Sequence, residues 1–274
     1  MRTLNQIVRQ ALAEDVGRGD VTTASIVPPG ARGRARLVAR EAGVVAGLEA
    51  ARATWRALSP RVVFRARIRD GQTARRGAVL GEVSGPLRAI LTGERVALNF
   101  LQRLSGIATL TRAYVTRAKR AKILDTRKTT PGLRALEKAA VRAGGGVNHR
   151  ASLDELILIK DNHIAAAGSI TEAVLRARKK NPRRRVEVET RTLAEVREAA
   201  ALKPAIIMLD NMAPTRLRRA VAIVRGASPR TTIEASGRVT LANVARVAAT
   251  GVDWISVGAL THSAPALDIA LEIR

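Results

Sequence analysis

The sequence predicts an α/β protein, with a mixed, sandwich-like α/β domain over residues 1–106 and a parallel α/β barrel over residues 107–274. Three observations point there. Short apolar runs recur six times after Ala121, helical patterns separate most of them, and no Gly-x-Gly-x-x-Gly fingerprint follows any run. Strands alternating with helices imply βα units and a parallel sheet. Six such units in about 150 residues, without the dinucleotide-binding turn, suit a closed barrel better than an open sheet.

The elements read in order. Leu4, Ile7, Val8, Ala11 and Leu12 fall at helical spacing and bury one stripe. Arg34 to Ala39 alternates basic and apolar residues, a strand signal. Leu48 to Leu58 reads as a helix, and Val62 to Ile68 alternates again. Gly71, Gly77, Gly81 and Gly85 punctuate short strands. That glycine-spaced hairpin is similar to a lipoyl or biotinyl carrier, but a carrier needs a lysine at the hairpin tip, and none precedes Lys119. A long helix beginning near Thr92 and running through Val96, Leu98, Leu101 and Leu104 links the domains. The barrel strands are Ile123-Leu124, Leu156 to Ile159, Val186 to Val188, Ile206 to Leu209, Thr232-Ile233 and Trp254 to Val257. Helices are expected over Ile170 to Ala177, Leu193 to Ala201, Pro214 to Val224 and Leu241 to Ala249. Thr240 is the expected cap of the last, and Gly251 its left-handed end.

Composition bounds the function. The chain has 274 residues, enough for a core without staples. It has no cysteine and only three histidines, His149, His163 and His262, so disulfides, cysteine zinc sites and a histidine-only metal site are not expected. No apolar run approaches the roughly 20 residues of a membrane span. The first residues carry Glu14 and Asp15 and lack the roughly 7–15-residue apolar core of a signal peptide, so a cytoplasmic location is expected. The net charge of +25 admits nucleic acid, an anionic membrane surface or polyanionic small substrates as partners. The arginines are dispersed, apart from short runs such as Arg183-Arg184-Arg185, which fits a solvated surface. Aromatic residues make up 2%, too few for a surface that stacks bases.

Each barrel strand stops at polar or small residues. Ile123-Leu124 runs into Asp125, Arg127 and Lys128; Leu156 to Ile159 into Lys160, Asp161 and Asn162; Val186 to Val188 into Glu189. Ile206 to Leu209 ends in Asp210 and Asn211, Ile233 leads to Glu234, Ser236 and Gly237, and Val257 to Gly258. One carboxylate after one strand reads equally well as a helix cap; six consecutive strands ending alike do not. In a parallel barrel these ends converge on the face where catalytic residues lie. The cations Arg127, Lys128, Arg150 and Lys160 suit a substrate bearing carboxylates and phosphates. Glu189 and Asp210, with Asp125 and Asp161, suit magnesium, ribose hydroxyls or a developing positive charge. Ser236-Gly237 and Gly258-Ala259 are small, letting backbone N–H groups approach a phosphate. Gly144-Gly145-Gly146 reads better as a flexible loop, because no Walker lysine follows. His149, between that loop and Arg150, is a candidate substrate contact or general base.

Three segments then resemble the signature of the quinolinate phosphoribosyltransferase family: Asp125-Thr126-Arg127-Lys128-Thr129-Thr130-Pro131-Gly132-Leu133-Arg134, Gly144-Gly145-Gly146-Val147-Asn148-His149-Arg150, and Leu158-Ile159-Lys160-Asp161-Asn162-His163-Ile164. Val186-Glu187-Val188-Glu189, Met208-Leu209-Asp210-Asn211-Met212, Glu234-Ala235-Ser236-Gly237 and Ile255-Ser256-Val257-Gly258-Ala259-Leu260-Thr261-His262 continue it. Upstream, Glu14-Asp15, Gly19-Asp20-Val21-Thr22-Thr23 and Gly93-Glu94-Arg95-Val96-Ala97-Leu98-Asn99 extend it over nearly the whole chain. The resemblance implies an incomplete, seven-stranded barrel and a homodimer, or a dimer-based higher oligomer, in which one subunit's N-terminal domain covers the other's site. It implies that Arg127, His149, Arg150 and Lys160 hold the quinolinate carboxylates, with Arg95 reaching in from the partner, and that Thr126 is a further substrate-binding residue. It places Lys128, Glu189, Asp210, Ser236, Gly237, Gly258 and Ala259 around phosphoribosyl pyrophosphate, whose pyrophosphate carries Mg2+, with Arg238 and Val257 as further substrate-binding residues and no metal ligand assigned to the chain. Lys128, Lys160, Glu189 and Asp210 are the expected catalytic set. The implied reaction joins the two substrates and releases carbon dioxide and pyrophosphate. Arg238, Ser152 and Ala139 depart from residues common in the family, and Arg238 leaves the phosphate loop least certain in shape. The alternatives are a related phosphoribosyltransferase acting on another pyridine acid and a basic nucleic-acid-binding protein.

Overall fold

In the computed structural model, which describes residues 3–274, Thr3 opens helix α1 (Leu4–Val16) with a reciprocal cap, its hydroxyl taking the Gln6 amide while the Gln6 side chain takes the Thr3 amide. Helix α2 (Val21–Ile26) follows, capped by Asp20. The chain continues through β1 (Arg32–Ala39), β2 (Gly43–Val44), α3 (Leu48–Leu58), β3 (Val63–Ala66), β4 (Thr73–Ala74), β5 (Val79–Pro86) and α4 (Leu87–Ala118). Next come β6 (Lys122–Leu124), α5 (Arg134–Ala143), β7 (Ile157–Ile159), α6 (Asp161–Ala167), α7 (Ile170–Lys180), β8 (Val186–Thr190) and α8 (Leu193–Ala201). The last are β9 (Ile206–Asp210), α9 (Pro214–Ala227), β10 (Thr232–Ser236), α10 (Val244–Ala248), β11 (Trp254–Ser256), α11 (Ala259–His262) and β12 (Ile269–Ile273).

Two compact units interleave along the chain, where the sequence suggests one division after residue 106. One unit takes the chain up to Arg112 with Thr129–Gly145 and Leu260–Arg274, and the other takes Ala113–Lys128 with Gly146–Ala259. In the first unit an antiparallel sheet has the order β12-β1-β5-β3. Leu37, Trp55, Leu80, Ile90 and Leu101 fill its core, and the Trp55 indole N–H, which would be costly to bury alone, donates to the Ile90 carbonyl at 3.1 Å. Helix α4 starts at Leu87, directly after β5 and five residues before the expected Thr92. A Cβ on its Gly106 would overlap the Pro265 carbonyl, so only glycine lets the C-terminal segment lie against the helix. That approach lets the Gln102 carbonyl accept the Leu267 amide at 2.9 Å, and β12 then pairs with β1 from Ala35↔Ile273 to Ala39↔Ile269. Buried Glu137 ties α5 to α4 through Arg103 at 2.9 Å.

In the second unit six parallel strands have the order β6-β11-β10-β9-β8-β7. From β7 to β11 successive strands are neighbours, and the first strand, β6, pairs with the last, β11. This is the order of a singly wound barrel opened between β6 and β7. The expected seventh strand is reduced to a single parallel bridge, Leu124↔Val147. Gly144-Gly145-Gly146 offers no side chains to pack on a pleated surface, which explains the lapse. Helix α10 is shorter than expected and begins after Asn243, not after Thr240; Gly251 does take the left-handed conformation, with φ 91°. No helix among the described residues is long and apolar enough to cross a membrane.

Candidate active site

The C-terminal ends of the parallel strands carry the polar residues. After β6, buried Asp125 accepts the His149 backbone amide at 2.9 Å and the Asn148 side-chain amide, fixing the loop that follows the glycines. The Arg150 guanidinium donates to the Leu156 carbonyl at 2.8 Å. Burial and the adjacent charge of Arg127 both lower the Arg150 pKa. Two guanidinium groups held near each other form a site that calls for anionic oxygens. Thr126 accepts the Lys128 amide through its hydroxyl at 3.0 Å, bending the strand exit, and Lys128 is exposed beside it.

His149 precedes Arg150 in the chain, and its side chain is 7% exposed. Its Nδ1 accepts the Arg150 backbone amide at 2.8 Å. Its Nε2 faces two wholly buried carboxylates, Glu187 at 3.1 Å and Glu234 at 3.5 Å. Burial opposes a second proton on the ring, but the two carboxylates outweigh it and raise the pKa to about 10. Glu187 is also raised, first by burial and then by the charge of Glu234. The trio therefore holds one proton more than its parts would in water, which fits poorly with His149 as a free general base.

A second cluster gathers Lys160, Asp161, Glu189, Asp210 and Arg191. Lys160, before α6, reaches Glu189 at 4.0 Å. Arg191 bridges three carboxylates, at 2.8 Å to Asp161, 3.4 Å to Asp210 and 3.6 Å to Glu189. Burial and then Asp210 raise the Glu189 pKa, against the pull of Lys160 and Arg191. Glu187 and Glu189 are two apart on β8, so both project from one face of the strand.

Ser236, Gly237 and Arg238 make a sharp exit from β10. Gly237 and Arg238 both have positive φ, 91° and 50°. A Cβ on Gly237 would collide with the Asn211 side chain, whose amide also donates to Asp210 at 3.0 Å. Arg238 is exposed, and its carbonyl takes the Asn243 amide at 3.0 Å, so the left-handed turn is held from behind. No helix follows at once, since α10 begins at Val244. Val257 donates to the Leu124 carbonyl at 2.9 Å, and Gly258 leads directly into the four-residue α11, which starts at Ala259.

The expected residues thus fall into three groups on one end of the sheet: Thr126, Arg127 and Lys128 with His149 and Arg150; Lys160 with Glu189 and Asp210; and the two small-residue exits. Arg95 is exposed on α4, in the first unit. Sequence reasoning missed the roles of Glu187 and Glu234, whose signal is a carboxylate inside an otherwise apolar strand. It also missed Arg191, one residue beyond β8.

Two family models match the chain: "Quinolinate phosphoribosyl transferase, N-terminal domain" over residues 20–105 and "Quinolinate phosphoribosyl transferase, C-terminal domain" over residues 107–272. A probable nicotinate-nucleotide pyrophosphorylase [carboxylating] of Synechocystis is 49% identical, covering 97% of this chain and 91% of that protein. Its counterpart in Bacillus subtilis is 44% identical, covering 98% and 93%. The crystal structure of NadC from Streptococcus pyogenes superposes with a TM-score of 0.95 at 42% identity, covering 99% of this chain and 96% of that one. These matches show that the chain belongs to the quinolinate phosphoribosyltransferase family.

Proposed function

We propose that the chain transfers the phosphoribosyl group of phosphoribosyl pyrophosphate to the nitrogen of quinolinate, giving nicotinate mononucleotide, carbon dioxide and pyrophosphate. The observation that carries this reading is the juxtaposition of Arg127 and Arg150 with the Lys160–Glu189–Asp210 cluster at one end of the sheet. The guanidinium pair suits the two ring carboxylates, and Glu189 and Asp210 suit the ribose, whose anomeric carbon gains positive charge as pyrophosphate leaves. Lys128 and the Ser236–Arg238 and Val257–Ala259 exits suit the phosphates. The ring nitrogen attacks, the new bond makes it cationic, and that charge stabilises the carbanion left when the neighbouring carboxylate departs as carbon dioxide. A proton then closes the ring carbon. The protein's contribution is alignment and charge placement.

Magnesium enters this reading as part of the substrate. Among the described residues, the one trio of side chains close enough to hold an ion is His149, Glu187 and Glu234. Its Nδ1 acts as an acceptor, which puts the ring proton on Nε2 and leaves no lone pair facing the carboxylates. Magnesium also prefers an all-oxygen shell with retained water. That trio does not fit the ion, and pyrophosphate oxygens do.

The protein acts in this reading in the cytoplasm, as a homodimer with Arg95 completing the partner's site. The test is a purified sample given Mg2+, phosphoribosyl pyrophosphate and either quinolinate or nicotinate. Nicotinate mononucleotide is expected from quinolinate; turnover of nicotinate alone would transfer the reading to another pyridine acid. Mixing Arg95→Ala with Lys160→Ala subunits should restore activity to some dimers, and verified mixed dimers without recovery would exclude a shared site.

A further inference from the structure

The His149–Glu187–Glu234 trio has more carboxylate than it needs. Both glutamates are wholly buried, and His149 Nε2 is the group they face. A ring nitrogen and one oxygen from each carboxylate lie within 4.8 Å of one another. The other charged groups near them are Arg150, whose charge acts on Glu187, and Arg127 next to Arg150, while Asp125 holds the His149 amide. Two carboxylates buried this close cannot both stay ionised beside a neutral ring without a large penalty. A second proton must sit somewhere in the trio. The carboxylates favour that proton on the ring, but Nδ1 already accepts the Arg150 amide hydrogen at 2.8 Å, and a proton there would have to break that bond. The remaining place is Glu187, whose carboxyl burial pushes up.

We propose that Glu187 and Glu234 are positioning residues for quinolinate: they grip the Nε2–H of a neutral His149, whose Nδ1 lone pair holds the Arg150 amide and so sets the guanidinium. His149 then serves the ring carboxylates through Arg150 and not as a base. This rests on the reading that Arg150 meets quinolinate.

With only three histidines, nitrogen-15 NMR of the histidine-labelled full chain resolves the tautomer, the His149 signals being those lost in His149→Gln. One protonated nitrogen, Nε2, and one acceptor nitrogen, Nδ1, are expected from about pH 6 to pH 8, without titration across His149's unperturbed range. A protonated Nδ1 would overturn the proposal, whether it arises in an imidazolium or in a ring that binds a metal through Nε2. The kinetic arm compares Glu187→Ala with Glu187→Gln, which keeps the shape and a neutral donor. Glu187→Ala should raise the KM for quinolinate about tenfold or more and leave that for phosphoribosyl pyrophosphate within about twofold, while Glu187→Gln stays near wild type. Equal damage by both variants, or both KM values rising together, refutes a positioning role. An Arg150→Ala control separates the two ideas. If it raises the quinolinate KM and Glu187→Ala does not, the positioning claim fails; if it changes nothing, the placement of quinolinate fails.

Discussion

Replacing Arg127 by glutamine should change stability and substrate binding in opposite directions. Arg127 stands close enough to Arg150 for its charge to lower the Arg150 pKa, so before substrate arrives the two cations repel. Quinolinate, with two carboxylates, relieves that repulsion and gains charge-assisted hydrogen bonds. One such bond contributes about 1.5–3 kcal/mol. At 1.36 kcal/mol per tenfold, its loss lowers kcat/KM for quinolinate by roughly 10- to 150-fold. The glutamine amide keeps one neutral hydrogen bond, which favours the lower end. Arg127 is exposed, so the ligand-free protein should change in stability by no more than about 0.5 kcal/mol, with relief of repulsion on the stabilising side. In a chain of this size that is at most about 2 °C in Tm. The assay is steady-state kinetics with each substrate varied, beside melting curves with and without quinolinate. The quinolinate-induced rise in Tm should shrink at a fixed quinolinate concentration while the ligand-free Tm holds or climbs. A ligand-free Tm that falls by more than about 4 °C, or a matching rise in the KM for phosphoribosyl pyrophosphate, would refute this reasoning.

Three further outcomes are expected. Glu137→Ala leaves Arg103 and the Thr130 amide without their buried acceptor and should cost about 3–5 kcal/mol, read by urea unfolding. Gly106→Ala forces a methyl group into the Pro265 carbonyl and should destabilise by about 1–3 kcal/mol, with little change in kcat at temperatures where the protein stays folded. Glu189→Gln should lower kcat on the order of a hundredfold if the carboxylate faces the ribose charge. Because burial and Asp210 raise the Glu189 pKa, wild-type activity should fall away on the acid side at a pH above the usual carboxylate range, and the glutamine variant should lose that limb.

The parts of the fold legible in the sequence are those with a local period. Helix α3 shows its bounds from Leu48 to Leu58 in its apolar spacing alone, and the six parallel strands show as short apolar runs closed by polar or small residues. Strand β12 was not legible, because its pairing with β1 is set by a contact across most of the chain and by Gly106, not by any local turn. Helix α10 starts late for a similar reason: Asn243 turns its side chain back to the Thr240 amide at 2.8 Å, so residues 240–243 form a turn before the helix. At the site, exposed cations after strands were visible because they interrupt apolar runs. Glu187 and Glu234 show only as interruptions inside a strand, and their purpose depends on a histidine from a different loop.

The same strand sets the division of labour between its two carboxylates. Glu187 and Glu189 project from one face of β8, and two residues of strand separate them by about 6–7 Å of rise. The deeper one is wholly buried against His149, and the shallower reaches Lys160 and Arg191. β10 repeats the pattern, with Glu234 buried on His149 and Ser236 two residues on at the sheet end. A carboxylate at the mouth can be neutralised by mobile cations, by substrate or by water. One at depth has only the side chains built around it, so its proton count is fixed by the fold. The deep pair can therefore hold a ring and a guanidinium in one geometry while the mouth changes charge through each turnover. Changes to the deep pair should be felt as lost alignment of quinolinate, and changes at the mouth as lost stabilisation of the departing pyrophosphate and the ribose.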